Sequence, residues 1–193
     1  MITNIIYIIV AYFLGNIMGG KLLEKIYKEE FTNKGSGNVG ARNAGRVLGF
    51  RSFIFVLVVD FFKGFLVVIM LKILNANDWV IYSAIILVIL GHIKPVIFGF
   101  KGGKGVATFF GCMTALSLNL VLVLILCTLV IGIIVKSLTI GFYSSLPLIT
   151  YLNYVENPKF LMLSENYYDK FSKIEESLPV SYFKINEEIP NWE

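Results

Sequence analysis

Three windows of mostly apolar residues, beginning near Ile5, Phe53 and Trp79, are each long enough to cross a bilayer as a helix, which takes about 20 residues. That requirement dominates everything else in the sequence. With 56% hydrophobic and 16% charged residues over 193 positions and a mean hydropathy of +0.75, the chain lies outside the usual composition of a soluble domain. The first apolar stretch starts at Met1 without a basic leader or a small-residue cleavage site. It reads as a retained span rather than a signal peptide.

Further along, residues 106–138 stay apolar for too long to form one span, and a polar break at Ser117 to Asn119 divides them into one span ending near Leu118 and another from Leu120. A sixth span is expected over 138–154, kinked by Pro147, which removes a backbone donor. From Asn157 onward the chain turns polar. The expectation is therefore an all-α, polytopic transmembrane helical bundle of about six spans over residues 1–155, followed by a polar, acidic tail over 156–193. Cys112 and Cys127 fall inside apolar segments, where a thiol behaves as a small hydrophobe; no disulfide, metal site or cofactor is expected.

Charge sets the orientation. Residues 1–155 carry thirteen Lys/Arg against five Asp/Glu, and the remainder four against eight. Lys21, Lys25, Lys28, Lys34, Arg42, Arg46 and Arg51 gather between the first two spans, and Lys94, Lys101 and Lys104 follow the third. Basic residues in short loops mark the cytoplasmic side, so both loops belong inside, the amino terminus outside, and the tail outside.

These loops are also rich in glycine. The first reads Lys34-Gly-Ser-Gly-Asn-Val-Gly-Ala-Arg-Asn-Ala-Gly-Arg46, the second runs from Gly91-His-Ile-Lys-Pro through Phe100-Lys-Gly-Gly-Lys-Gly-Val-Ala-Thr108. Glycine lets backbone N–H groups converge on an anion, and a following helix start adds unpaired donors. Gly35 to Gly40 matches the dinucleotide pattern G-x-G-x-x-G, but no strand precedes it; the second loop lacks the lead glycine and the Ser/Thr of a phosphate-binding nucleotide loop. One such loop is as well explained by lysines facing lipid headgroups. Two on one face favour a substrate, or substrates, with more than one phosphate.

Taken together, the two motifs resemble those of the acyl-phosphate-dependent glycerol-3-phosphate acyltransferases of bacterial membranes. Ala11-Tyr-Phe-Leu-Gly15 and Asp60-x-x-Lys-Gly64 fall where that family has similar segments. The resemblance implies a transmembrane acyltransferase-like domain over 1–155 in the bacterial inner membrane. It would move a fatty acyl group from acyl-phosphate to glycerol 3-phosphate, giving lysophosphatidic acid for phospholipid synthesis. It assigns catalytic roles to Ser36, Arg46 and Lys104, and substrate binding to Gly35, Asn38, Gly40, Asn43, Lys101, Gly102, Gly103 and Ser137. Expected partners are acyl-phosphate, glycerol 3-phosphate and membrane lipids, with no nucleic acid; the oligomeric state is left open.

His92, the sole histidine, is a general base or a structural hydrogen-bonding group at a helix end, with the second reading favoured. Asp60 and Lys63 are three residues apart, so they share a helix face and can pair. The sequence departs from the family pattern twice. No segment like His-Arg-x-Asn-Ile-x-Arg-Leu follows Tyr154, and Arg42 stands where the family commonly has Thr. The first departure keeps open an alternative: a non-catalytic homologue that binds anionic lipid or a membrane partner. A transporter ranks third, because no paired broken helices or internal repeat are visible.

Overall fold

A computed structural model describes residues 2–156, with no strand among them. Eight α-helices follow in order: α1 (Ile2–Gly15), α2 (Gly19–Tyr27), α3 (Ala41–Leu48), α4 (Phe50–Ile73), α5 (Asp78–Ile93), α6 (Val106–Leu116), α7 (Leu118–Ile134) and α8 (Leu138–Glu156). Short 3-10 turns occupy Phe31–Asn33 and Val96–Phe98. The expected acidic tail lies outside the described residues beyond Glu156. The chain falls into two units, residues 1–126 and 127–193, of which the first holds α1 to α6.

Burial is arranged as it is in lipid. Ile5, Ile9, Val58, Phe62, Leu66, Tyr82 and Ile86 point outward and are exposed, whereas Asp60, Lys63 and His92 are buried. Polar groups at bilayer depth are costly unless they face one another. Such an inside-out distribution identifies a membrane protein.

Helix length and hydropathy give fewer lone spans than six. Among the described residues α4 qualifies, as does α5 continued to Phe98, while α1 and α2 qualify only as a pair bent by 42°. The 11 residues of α6 and 17 of α7 are shorter than a typical span, and α8 carries Pro147 inside it.

Two breaks produce this shortening, and a lysine of α4 caps each. At the end of α1, Lys63 Nζ donates to the carbonyls of Gly15 (3.0 Å) and Ile17 (2.6 Å). At the end of α6, Lys72 Nζ donates to those of Ala115 (2.6 Å) and Leu116 (3.1 Å). The last carbonyls of a helix have no partner of their own, and a cation there both satisfies them and complements the helix dipole.

Without a hydrophobic force between helices in lipid, close packing through small residues does the joining. An added Cβ on Gly15 would strike the Val88 carbonyl, and one on Gly91 the Tyr12 carbonyl, which brings α1 against α5. Gly64 and Gly111 do the same for α4 and α6, meeting the carbonyls of Thr108 and Phe61. Val67, Val68, Ile85, Val88 and Cys112 fill the space between these pairs. In the second unit, Ser145 ties α8 to α7 through the Thr128 hydroxyl at 3.0 Å.

Candidate functional site

The first glycine loop is a small folded object of its own. Phe31 is fully buried with Leu23, Ala44 and Val56, fastening the loop to α2, α3 and α4. Glu24 of α2 accepts from the Thr32 backbone N–H (3.1 Å) and hydroxyl (2.6 Å), and pairs with Lys21 at 2.6 Å. At the centre stands Asn43, 2% exposed. Its Oδ1 accepts from the Ser36 N–H (2.8 Å) while its Nδ2 donates to the carbonyls of Lys34 (3.1 Å) and Phe31 (3.5 Å).

Gly35 fits this ring because its φ of +65° is left-handed and a Cβ would collide with Asn43 Oδ1. Asn38 Oδ1 accepts from the Gly40 N–H at 2.8 Å, closing the turn that starts α3. With these internal bonds made, the Ser36 side chain is left exposed at the tip. Arg42 and Arg46, one helical turn apart on α3, project from it and line an open cleft of about 370 Å³ with Gly45, Phe50 and Phe53.

The second loop is held from outside. Tyr12 of α1 donates its hydroxyl hydrogen to the Lys94 carbonyl (2.7 Å) and accepts from the Val96 N–H (3.2 Å); Asn16 Oδ1 accepts from Ile97 N–H at 3.4 Å. Further on, the Gly103 N–H donates to the His92 carbonyl at 3.0 Å. Gly102 lies so close to the carbonyls of His92 and Ile93 that a Cβ there would strike both, and Gly103 rests on His92 Nε2. The result is a tightly seated backbone at Gly102-Gly103 with Lys101 and Lys104 exposed on either side. α6 begins directly afterward.

Beneath both loops lies a buried polar cluster. Lys63 Nζ sits 3.3 Å from Asp60 Oδ1 and 2.6 Å from His92 Nδ1. Asp60 Oδ1 also accepts from the Gly19 N–H at 3.1 Å, at the start of α2. The expected Asp60–Lys63 pair is present, and His92 joins it from a different helix.

Of the sequence-derived candidates, Gly35, Ser36, Asn38, Gly40, Asn43 and Arg46 share the first loop and α3, while His92, Lys101, Gly102, Gly103 and Lys104 share the second loop and its root. The α1–α2 bend adjoins the second loop across a cleft of about 430 Å³ lined by Met18, Lys21, Lys25, Ile97 and Phe98. Ser137 lies in the second unit, where its hydroxyl accepts from the Ile140 N–H at 3.4 Å and caps α8. Tyr12, Asn16 and Glu24 escaped the sequence reading. For two of them a signal was present, Tyr12 and Asn16 being polar residues one turn apart in an otherwise apolar segment, whereas Glu24 lies among the lysines of α2.

Chemically, the arrangement offers four exposed cations, an exposed hydroxyl and a rigid backbone turn, all suited to holding phosphate groups. The family model described as glycerol-3-phosphate acyltransferase matches residues 5–167. Similar proteins include the glycerol-3-phosphate acyltransferase of Aquifex aeolicus, 44% identical over 111 residues that make up 57% of this chain and 58% of that one. Another, from Finegoldia magna, is 38% identical over 135 residues, 69% of this chain and 67% of the relative. The match to the Aquifex protein thus spans less than two thirds of its length. Among solved structures, the crystal structure of PlsY (YgiH), an integral membrane glycerol 3-phosphate acyltransferase in its glycerol 3-phosphate form, superposes with a TM-score of 0.69 at 34% identity, covering 79% of this chain and 76% of that one.

Proposed function

Because the chain belongs to the glycerol-3-phosphate acyltransferase family, we propose that it transfers a fatty acyl group from acyl-phosphate to a hydroxyl of glycerol 3-phosphate, releasing inorganic phosphate and forming lysophosphatidic acid. The observation that carries this reading is the coincidence of the family match with both glycine loops and their exposed cations. In the reaction the glycerol hydroxyl oxygen attacks the acyl carbonyl carbon. The bond from that carbon to the phosphate oxygen breaks, and the hydroxyl proton passes to the departing phosphate.

Phosphate is a good leaving group, so the protein's contribution is to position two anionic reactants and to stabilise developing negative charge. Lys104 and Lys101, flanking the Gly102-Gly103 turn, and Arg46 of α3 supply the charge. The Ser36 hydroxyl, whose own backbone N–H is occupied by Asn43, orients a substrate oxygen. Ser36 as an acylated nucleophile is disfavoured, because no His-Asp arrangement surrounds it. Asn43, Asn38 and the loop glycines act by shaping the backbone that meets the substrate. The basic loops face the cytoplasm of a bacterial cell, the acyl chain lies among the helices, and the amino terminus is outside.

Reconstituted protein given palmitoyl-phosphate and labelled glycerol 3-phosphate is expected to form lysophosphatidic acid; palmitoyl-CoA in place of the acyl-phosphate is expected to give none. Lys104→Ala is expected to lower kcat/KM by about a hundredfold or more, the usual effect of removing one group that stabilises transition-state charge. Full activity in that variant would defeat the assignment. A second reading, binding of anionic lipid without turnover, draws on the same exposed cations, Arg42, Arg46, Lys101 and Lys104, which suit lipid phosphates equally well. It predicts no product but retained binding of anionic vesicles.

A further inference from the structure

We propose that Asp60, Lys63 and His92 form a single positioning pin that fixes the two glycine loops relative to one another, and so sets the spacing of the two phosphate-bearing substrates; the kinetic part of this rests on the function proposed above. None of the three is a catalytic residue in this scheme, since all are buried beneath the loops.

The geometry is that of a joint. Lys63 Nζ lies within reach of four acceptors: the Gly15 carbonyl, the Ile17 carbonyl, His92 Nδ1 and Asp60 Oδ1. Accepting at Nδ1 leaves His92 neutral with its hydrogen on Nε2. Nε2 lies against Gly103, and the His92 carbonyl takes the Gly103 N–H. The same histidine therefore touches the second loop twice. On the other side, Asp60 holds the Gly19 N–H, where α2 departs toward the first loop, and Gly20 packs on the Val39 carbonyl within that loop. Asp60 lies 3.3 Å from Lys63 and 3.6 Å from His92 Nδ1, so both branches meet in one cluster.

A purely structural pair could hold α4 against its neighbours without reaching the loops. Burying ionic groups in the membrane is costly, and an apolar contact would hold the helices as well. What the apolar contact would lack is directional bonds to Gly19 and, through His92, to Gly103.

Tests use the full chain in lipid nanodiscs. In Lys63→Met, amide hydrogen exchange across Gly102–Gly105 is expected to rise by about tenfold or more while protection within α4 and α5 stays unchanged, the pattern of a local rather than global opening. Gly103→Ala is expected to lower kcat/KM by about tenfold or more, and adding His92→Asn to restore at least half of that loss on a logarithmic scale, because the smaller side chain makes room for the methyl group. His92→Asn alone is expected to raise KM for both substrates with an unchanged pH profile of kcat.

Unaltered loop exchange in Lys63→Met, or no rescue in the double variant, overturns the proposal. So does a loss of kcat beyond about a hundredfold in His92→Asn with both KM values intact, which is the mark of a general base. An inactive wild-type protein would sink the acyltransferase reading instead, and the exchange measurement would still decide the pin.

Discussion

Both loops are basic and rich in glycine, yet they are built on opposite principles. The first satisfies itself: Asn43, Asn38, Thr32 and Glu24 bond to backbone and side chains within α2, the loop and α3. The second draws its anchors from the membrane helices, from Tyr12 of α1, from Asn16 just past its end and from His92 of α5. Glycine accordingly means different things in the two. At Gly35 it allows a left-handed turn around an asparagine; at Gly102 it allows the backbone to lie directly on another backbone. A local motif can be disturbed locally, whereas a loop seated on helices fails when its seat is altered.

The difference is sharpest at Gly102. Its neighbours there are the main-chain oxygens of His92 and Ile93 and the ring of Pro95, none of which can rotate away. Gly102→Ala is therefore expected to unseat the second loop, at about 3 kcal/mol for an unrelieved clash. Transferase activity should fall by about a hundredfold or more at matched expression, with the helices still folded by circular dichroism. Near-normal activity would mean that the loop does not depend on its seat.

Next in size comes Asn43→Ala, which leaves the Ser36 N–H and the Lys34 carbonyl without their partner in a part-buried setting. A cost of about 1 kcal/mol is expected for those stranded groups, read as a lowered midpoint of thermal unfolding. Proteolysis should become faster within 31–46 and stay unchanged within 94–105. Asn43→Asp, which keeps the acceptor for Ser36 and loses both donor contacts, should fall between alanine and wild type. Equal loosening of both loops would erase the distinction between them.

This division also explains what could be read in advance. Apolar windows near Ile5, Phe53 and Trp79 became α1, α4 and α5, because about 20 apolar residues in lipid have few alternatives to a helix. The polar break near Ser117 lies where α6 gives way to α7. Motif residues marked both loops, since glycine and charge are local signals. The number of lone spans was not legible, because α1 and α6 are terminated by Lys63 and Lys72 from more than 40 residues away. For the same reason Tyr12 and Asn16 could not be tied to Lys94, Val96 and Ile97, and His92 could not be joined to the Asp60–Lys63 pair. Periodicity and spacing describe one segment at a time; these contacts exist only between segments.

The smallest expected effect is the most useful control. Gly99 belongs to the same loop as Gly102, and its φ of +61° is left-handed, but an added Cβ would meet nothing within 4 Å. Only the backbone preference then opposes a side chain, worth about 1 kcal/mol for alanine and less for asparagine, which tolerates that conformation. Gly99→Ala should lower the thermal midpoint by a few degrees at most, leave kcat/KM within about threefold of wild type, and be outperformed by Gly99→Asn. If Gly99→Ala proved as damaging as Gly102→Ala, conformational freedom throughout the loop would account for both. The seating of the second loop on His92 and Ile93 would then lose its claim to be what separates it from the first.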